Sequence, residues 1–150
     1  MGNRKHTRAE ARKEANKTYY VAKLMNNPTS PRKTRLVADL IRGVDVDKAL
    51  AILQYNPRES APKMRKLLLS AIANWQAKNE GQRVEDGHLY VKQIMVNEGR
   101  TARRMMTAPQ GRGYRIRKRS NHVTVVLGSR SEDKAAAQNK EAKAETEKEN

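Results

Sequence analysis

The stretch that decides the fold of this 150-residue chain is GRTARRMMTAPQGRGYRIRKR, residues 99–119. It holds eight Lys/Arg and no Asp/Glu, so half of the formal net charge of +16 lies within it. An apolar core cannot absorb this density of charge, and in water alone the stretch would repel itself. The stretch therefore indicates a segment outside the core that a polyanion orders, and nucleic acid is the first candidate.

Strand-like runs flank the basic stretch. Residues 89–96 and 122–127 are rich in β-branched and aliphatic side chains, and PQGRG at 109–113 is the strongest turn signal between them. The pattern predicts a β-hairpin over about residues 88–128, with its tip at about 105–113. Arms of about 15 residues, at about 3.3 Å per residue, would reach roughly 50 Å. A small core cannot cover that length, so the distal part must protrude.

Three amphipathic helices are predicted before the hairpin. Ser30 is a good N-cap for the first helix and Gly43 supplies its stop. The apolar positions of that helix recur at helical spacing: Leu36, Val37, Leu40 and Ile41. Asp45 can cap a shorter second helix, and Asn56 or Ser60 can cap a longer third one. The third helix would bury Met64, Leu68, Ala71, Ile72 and Trp75. A strand over residues 19–25 precedes them.

The two ends of the chain differ from the part between them. Residues 1–18 form a basic extension, in which Thr7 and Glu10 have the spacing of a capping box and favour a short helix. Residues 131–150 carry four basic and six acidic groups and no branched aliphatic side chain. We expect them to be a disordered or solvent-exposed acidic, alanine-rich tail. Residues 19–130 remain as one globular domain with its hairpin.

Composition excludes several classes of function. The chain has no cysteine, so it has no disulfides, zinc–thiolate sites or cysteine nucleophiles. It has no run of about 18 apolar residues that could span a membrane, and its N-terminus lacks the apolar segment of a secretory signal. His6, His88 and His122 are scattered without metal-ligand spacing, and catalytic loop motifs are absent. We therefore expect no enzyme activity, no cofactor and no metal.

The candidate nucleic-acid ligands fall into two groups. Arginine forks bind phosphate bidentately and stack on bases. The hairpin group comprises Arg103, Arg104, Arg112, Arg115, Arg117, Lys118 and Arg119. The helical group comprises Arg32, Lys33 and Arg35 on the first helix and Lys63, Arg65 and Lys66 on the third. Cations at a helix N-terminus oppose its dipole, a mismatch that phosphates would offset. An ordinary solvated face explains any single helical residue equally well. His122 is predicted to face the surface or RNA.

An uncharged patch lies at the turn of the hairpin. It consists of Met105, Met106, Thr107, Ala108, Pro109 and Gln110. An arm that only binds phosphates would carry basic residues along its whole length. The neutral tip therefore suggests that the end of the arm touches a base step, a protein or solvent. An ordinary turn is an equally good interpretation.

Four stretches resemble motifs of the bacterial large-subunit ribosomal protein twenty-two family. They are SPRKTRLVADLIRG at 30–43, LSAIAN at 69–74, VNEG at 96–99 and RIRKRSNHVTVV at 115–126. The resemblance covers about residues 20–130, in matching order. It implies an α+β domain of three helices packed on a three-stranded antiparallel sheet, with a long protruding hairpin.

The resemblance also implies a function, a location and partners. The family is a cytoplasmic structural constituent of the large ribosomal subunit that helps to fold large-subunit (23S) rRNA during assembly. Its hairpin tip lines the nascent-peptide exit tunnel, opposite a loop of ribosomal protein four, beside the nascent polypeptide and near the macrolide site. No membrane and no homo-oligomer are expected.

Carried onto this chain, the RNA contacts that the resemblance implies are Arg100, Arg103, Arg104, Arg112, Arg115, Arg117, Lys118 and Arg119. The tunnel-side tip runs from Met105 through Gly111 to Arg112, and family tips often hold basic residues where this chain has Ala108 and Gln110.

Two other classes of protein compete with this interpretation. A DNA-architectural protein with a β-ribbon arm would use Pro109 as a wedge between base steps. Such proteins are usually dimers, and the sequence shows no obvious dimer stripe. A secreted, membrane-active cationic protein would need an apolar face beside its charge, and residues 99–119 show almost none.

Overall fold

The structure is a computed structural model that describes residues 3–17, 19–79 and 87–130. Its helices are α1 (Asn3–Lys17), α2 (Pro31–Ile41), α3 (Val46–Tyr55) and α4 (Ser60–Lys78). Its strands are β1 (Tyr20–Asn27), β2 (Leu89–Thr107) and β3 (Gly113–Ser129), with a 3-10 turn (Pro109–Gly111) between the last two. The predicted α+β class with a three-stranded antiparallel sheet and a long hairpin is confirmed. The predicted tail at residues 131–150 lies outside the described residues.

The described residues contain four helices instead of three, because the N-terminal extension contains α1. This helix begins at Asn3, earlier than the capping-box spacing suggested, and Thr7 lies inside it. The Thr7 hydroxyl donates to the Arg4 carbonyl at 3.2 Å and therefore does not cap the helix. The side chains of residues 4–14 are all exposed. The other three helices are those predicted from the sequence.

The sheet has the order β1-β3-β2, and α2, α3 and α4 cover one of its faces. The residues of β2 and β3 that point toward the helices are buried: Val91, Ile94, Val96, Val123, Val125 and Leu127. Trp75 of α4 is 1% exposed and meets the Tyr20 ring edge-on, with ring centroids 6.3 Å apart. An aliphatic core closed by one tryptophan therefore sits between the helices and the sheet.

The buried stripe of α2 differs from the predicted one. Val37 and Ile41 are buried as expected, but Leu36 is 52% exposed and Leu40 48% exposed. The remaining buried positions of α2 are Pro31, Thr34 and Ala38. Adjacent apolar residues lie about 100° apart on a helix, so the Leu36–Val37 and Leu40–Ile41 pairs could not all face the core. The small Ala38 and the polar contacts of Thr34 decide which side turns inward.

The predicted N-cap residues of α2 and α3 are correct, but their side chains do not cap the helices. Ser30 and Asp45 occupy the N-cap positions of α2 and α3 without a side-chain capping hydrogen bond. The Asp45 carboxylate instead pairs with Arg130 at 2.8 Å. The N-cap of α4 is Glu59, so the prediction of Asn56 or Ser60 is wrong. Asn56 Oδ1 accepts from the Arg58 amide, and the Ser60 hydroxyl is drawn into a buried polar cluster.

The hairpin extends far beyond the core. Its ladder runs from Leu89 opposite Ser129 to Thr107 opposite Gly113. At about 3.3 Å per residue, the 19 residues of β2 span about 60 Å. The last pairing of β1 with β3 joins Asn27 to Asn121, and beyond it the ribbon has two strands only. We call this two-stranded part, residues 101–119, the arm.

The turn of the arm uses left-handed backbone at two positions. Gln110 has φ 63° and Gly111 has φ +70°. The Ala108 amide donates to the Arg112 carbonyl at 2.9 Å and closes the loop. Glycine accepts this conformation without steric cost, whereas glutamine does not. Across the described residues, no helix has the length and apolarity needed to cross a membrane.

Candidate nucleic-acid interface

The helical basic group, which combines the basic residues of α2 with those of α4, comes together in space. The Thr34 and Ser60 hydroxyls lie 3.3 Å apart, so the N-terminal turns of α2 and α4 are in contact. The basic side chains around this contact are Arg32, Lys33, Lys63, Arg65 and Lys66, which are exposed except for the half-buried Lys63. A groove of about 300 Å³ between the turns is lined by Thr29, Lys33, Leu36, Arg58, Glu59 and Ser60. The sequence interpretation missed Arg58, which lies in the loop before α4 and belongs to no helical pattern.

One carboxylate lies within this basic group. Lys63 Nζ donates to Glu59 Oε1 at 2.9 Å. This hydrogen bond and the charge of Lys63 lower the pKa of Glu59, and the charge of Lys33 adds to the effect. Glu59 therefore stays ionised and partly neutralises the two lysines nearest to it.

Arg35 is placed differently from the other predicted ligands. Its Nε and Nη2 atoms donate to the Val96 carbonyl at 3.2 and 3.1 Å. This carbonyl lies on the free edge of β2. On the same edge, Arg42 Nη2 donates to the Ile94 carbonyl at 3.5 Å. Arg35 thus holds α2 to the strand that becomes the arm, and only part of its guanidinium remains for a phosphate.

A buried polar cluster joins the helices to the base of the arm. We call it the polar junction: Asn27, Thr29, Thr34, Ser60 and Asn121. Asn121 Nδ2 lies 2.7 Å from the Thr29 carbonyl and 2.9 Å from the Thr34 hydroxyl. Asn27 Nδ2 lies 2.7 Å from the Thr29 hydroxyl and 3.2 Å from Asn121 Oδ1. Because buried polar groups need partners, the junction fixes how these elements meet.

The pairing register divides the side chains of the arm between two faces. Directly paired residues of an antiparallel ladder share a face, and successive residues alternate. One face, the arginine face, holds Thr101, Arg103, Met105, Arg115, Arg117 and Arg119. The other, the mixed face, holds Ala102, Arg104, Met106, Tyr114, Ile116 and Lys118. The two faces therefore differ strongly in chemistry, although the linear sequence interleaves them.

The arginine face and the helical basic group lie on the same side of the sheet. The register shifts of the hairpin insert their extra residues into β2, so alternation along β3 is unbroken. Val123 and Asn121 are buried on the side that the helices cover. Continuing by twos from Asn121 reaches Arg119, Arg117 and Arg115. We call the arginine face and the helical basic group together the basic surface.

Comparison with known proteins identifies the family. The sequence matches the family model described as ribosomal protein L22p/L17e over residues 22–128. The chain belongs to this ribosomal protein family. It is 60% identical to the large ribosomal subunit protein uL22 of Bacteroides thetaiotaomicron over 131 residues, 87% of this chain and 96% of that protein. The uL22 proteins of Porphyromonas gingivalis and Flavobacterium psychrophilum are 56% and 59% identical, over 89% and 86% of this chain and 98% and 94% of their own lengths.

Membership of the L22p/L17e family confirms two predictions. The resemblance stated from four short motifs holds over most of the chain, and the family is a structural rather than an enzymatic one. Among the described residues, no three His, Asp or Glu side chains come close enough together to hold a metal ion.

The remaining predicted ligands occupy three kinds of position in this L22p/L17e chain. Arg100 is exposed at the base of the arm, where its carbonyl accepts from the Ser120 hydroxyl at 2.6 Å. Arg119 Nη1 pairs with Glu98 at 3.1 Å, so its charge is already partly balanced. His122 is half-buried, and its Nδ1 accepts from the Asn26 amide at 3.0 Å. Its position on β3 puts it on the side opposite the arginine face, so it supports β1 more than it serves that surface.

The tip residues are open to solvent. Met105, Met106 and Arg112 are exposed, and only Ala108 is half-buried. Their backbone is fixed by the turn, while their side chains have no packed neighbour layer on either side. The neutral patch predicted from the sequence is thus a real surface at the end of the arm.

Proposed function

We propose that this chain is a structural constituent of the bacterial large ribosomal subunit that binds large-subunit (23S) rRNA and aids its assembly in the cytoplasm. The observation that carries the proposal is the two-stranded arm, which has seven basic side chains, no acidic one and no described helix or third strand covering it. Such a ribbon is marginal in water by itself and suits a site walled by phosphates. The printed names of the relatives support the same assignment.

The basic surface supplies the proposed RNA contacts. We assign phosphate binding to the arginine face of the arm and to the helical basic group. Arg100 and Arg112 extend that contact to the base and the tip of the arm. Lys63, Arg35 and Arg119 would contribute less per residue, because each already serves an internal acceptor.

The tip is the proposed tunnel-facing element. Residues 105–112 would line the nascent-peptide exit tunnel, opposite a loop of ribosomal protein four and beside the nascent polypeptide. The resemblance supports this placement, and so do the exposure and neutrality of the tip. Residues 19–130 would then be the RNA-bound domain, with residues 1–18 as a basic extension and residues 131–150 as a separate tail.

The DNA-architectural alternative has one observation in its favour, which is the exposed Pro109 at the end of the arm. A proline there could wedge between base steps. The family assignment and the relatives' names favour the ribosome, so we retain the DNA function only as an outcome of the test.

Gradient fractionation tests the proposal. A tagged full-length chain, expressed in its bacterium, should sediment in stoichiometric amount with large subunits. A variant with residues 101–119 replaced by a two-residue turn should remain folded and leave the subunit fraction. A third variant, lacking only residues 103–110, should still enter subunits, and those subunits should respond differently to macrolides. Full-length protein found free or bound to the nucleoid would overturn the ribosomal assignment, and unchanged macrolide response would overturn the tip assignment.

A further inference from the structure

We propose that the mixed face of the arm is a stacking surface for an unpaired nucleobase of the rRNA, with the Tyr114 ring as its platform. The arginine face opposite would bind phosphates. This inference rests on the proposed rRNA-binding function and adds the chemical group that the second face recognises.

The geometry of the mixed face supports a platform. Tyr114 is 66% exposed and lies directly opposite Met106, which is 58% exposed. Ile116, two residues further along the same face, is half-buried. Met106 and Ile116 therefore flank the tyrosine on one face of the ribbon. The arrangement leaves a large part of the ring open to a planar ligand.

A role in the packing of the core does not explain the position of Tyr114. The buried aromatic pair of the protein, Trp75 and Tyr20, lies in the core at the other end of the sheet. None of the described helices covers the arm, and every residue of β2 from 101 to 107 is exposed. An aromatic ring in such a place gains its apolar burial only when a partner arrives.

Charge decides which class of partner fits. Lysine is depleted in protein–protein interfaces, whereas tyrosine, methionine and arginine are enriched there. The mixed face places Lys118 opposite Ala102 and Arg104 opposite Ile116, beside the four arginines of the other face. Cations alternating with an aromatic and aliphatic side chains are typical of surfaces that hold single-stranded nucleic acid, where bases stack and phosphates are neutralised. A nucleobase therefore fits better than a protein segment.

The two faces would divide the work of recognition. The arginine face offers Arg103, Arg115 and Arg117 without an acidic partner among the described contacts, which favours a phosphate backbone. The mixed face offers one ring and fewer charges. The arm would then lie between a phosphate backbone on one side and an exposed base on the other, and only the first contact would depend steeply on salt.

The test compares three single variants of the full-length chain. The probe is the full-length large-subunit rRNA transcript, with the dissociation constant measured at several salt concentrations. Tyr114→Ala should weaken binding by about 10- to 100-fold with an unchanged salt slope, because it removes stacking and no charge. Tyr114→Phe, which keeps the ring, should bind within about twofold of the unaltered chain. Arg117→Gln should reduce the salt slope by about one.

Chemical probing of the bases supplies a second readout. One or a few unpaired bases should be protected by the unaltered chain and by Tyr114→Phe, and should become reactive with Tyr114→Ala. Circular dichroism establishes that each variant is folded.

Three results would overturn the stacking surface. They are an unchanged affinity and base pattern for Tyr114→Ala, equal losses for the alanine and phenylalanine variants, and a crosslink from position 114 to a protein in place of a base. In each case a normal response of Arg117→Gln would leave rRNA binding intact. If the unaltered chain itself failed to bind the transcript, the proposed function would fail with it.

Discussion

The two halves of the β2–β3 ladder are built from the same strands but differ in the burial of their side chains. The proximal half, from Leu89 opposite Ser129 to Glu98 opposite Asn121, sends every second side chain into the core. The distal half, the arm, buries none of its side chains fully. The two strands pair through both halves, with register shifts between Val91 and Gln93 and between Glu98 and Thr101. The difference shows that the pairing alone sets the shape of the hairpin, whereas burial decides which part of it contributes to folding stability.

The edges of the ladder follow the same division. In the proximal half, β1 pairs with one edge of β3. The carbonyls along the free edge of β2 accept hydrogen bonds from Gly43, Arg42 and Arg35. On the outer side of β1, Asn74 donates to the Val21 carbonyl at 3.1 Å. Protected edges prevent pairing with other strands. In the arm, strong basic charge provides this protection, and the same charge forms the proposed binding surface.

Replacing Trp75 should have the largest effect on stability. Trp75→Ala removes the largest fully buried side chain, so we expect a loss of about 3–5 kcal/mol in the free energy of unfolding. Tyr114→Ala is the matched control, because it removes an aromatic ring from the arm and should change stability by less than about 0.5 kcal/mol. Urea unfolding followed by circular dichroism measures both. Comparable losses from the two variants would show that the arm belongs to the cooperative core and would erase the distinction between the halves.

Replacing Asn121 tests the boundary between the halves. Asn121→Ala leaves the Thr29 carbonyl and the Thr34 hydroxyl without this buried donor, which should cost about 2–3 kcal/mol. Asn97→Ala is the control, since Asn97 is exposed on the neighbouring strand and should cost less than about 0.5 kcal/mol. The same urea titration compares them. A loss no greater than that of the control would mean that the polar junction does not hold the arm to the helices.

Much of this architecture could be predicted from the sequence because its signals are local. Residues 99–119 carry basic side chains and no acidic ones, and runs of β-branched residues flank them. A protruding hairpin is the simplest structure that fits this pattern. The buried side of α4 followed from its helical spacing, with Met64, Leu68, Ala71 and Trp75 all buried. Only Ile72 is half-buried.

What the sequence did not predict depends on register and on long-range contacts. The mixed face was missed because Met106 and Ile116 are ten residues apart along the chain, and only the pairing brings them to one side. The linear sequence shows almost no apolar face in residues 99–119, whereas the pairing places Met106, Tyr114 and Ile116 together beside Arg104 and Lys118. The role of Arg35 was missed because its acceptor, the Val96 carbonyl, belongs to a strand 61 residues later. The type of a residue does not indicate whether its backbone carbonyl accepts a side-chain hydrogen bond.

The smallest expected effect concerns the one carboxylate inside the helical basic group, a feature that the arm lacks. Because the pKa of Glu59 is lowered by Lys63, its pairing stabilises the fold above the ordinary glutamate pKa of about 4.3 and loses that contribution as the pH falls through the lowered value. Glu59→Gln should therefore be slightly less stable than the unaltered chain at pH 7, and the difference should vanish in acid. The pair is exposed, so the change is small.

The same substitution should strengthen RNA binding, because it releases Lys63 and Lys33 from their acidic neighbour. We expect a gain of roughly two- to fivefold at low salt, fading as salt screens the group. Asp47→Gln, on the exposed side of α3, removes the same charge outside the basic group and serves as the control. Equal gains from both variants would mean that net charge alone sets the affinity. A gain confined to Glu59→Gln would mean that the helices bind phosphate at this surface, as we propose for the arm, so that the core half contributes to recognition as well as to folding.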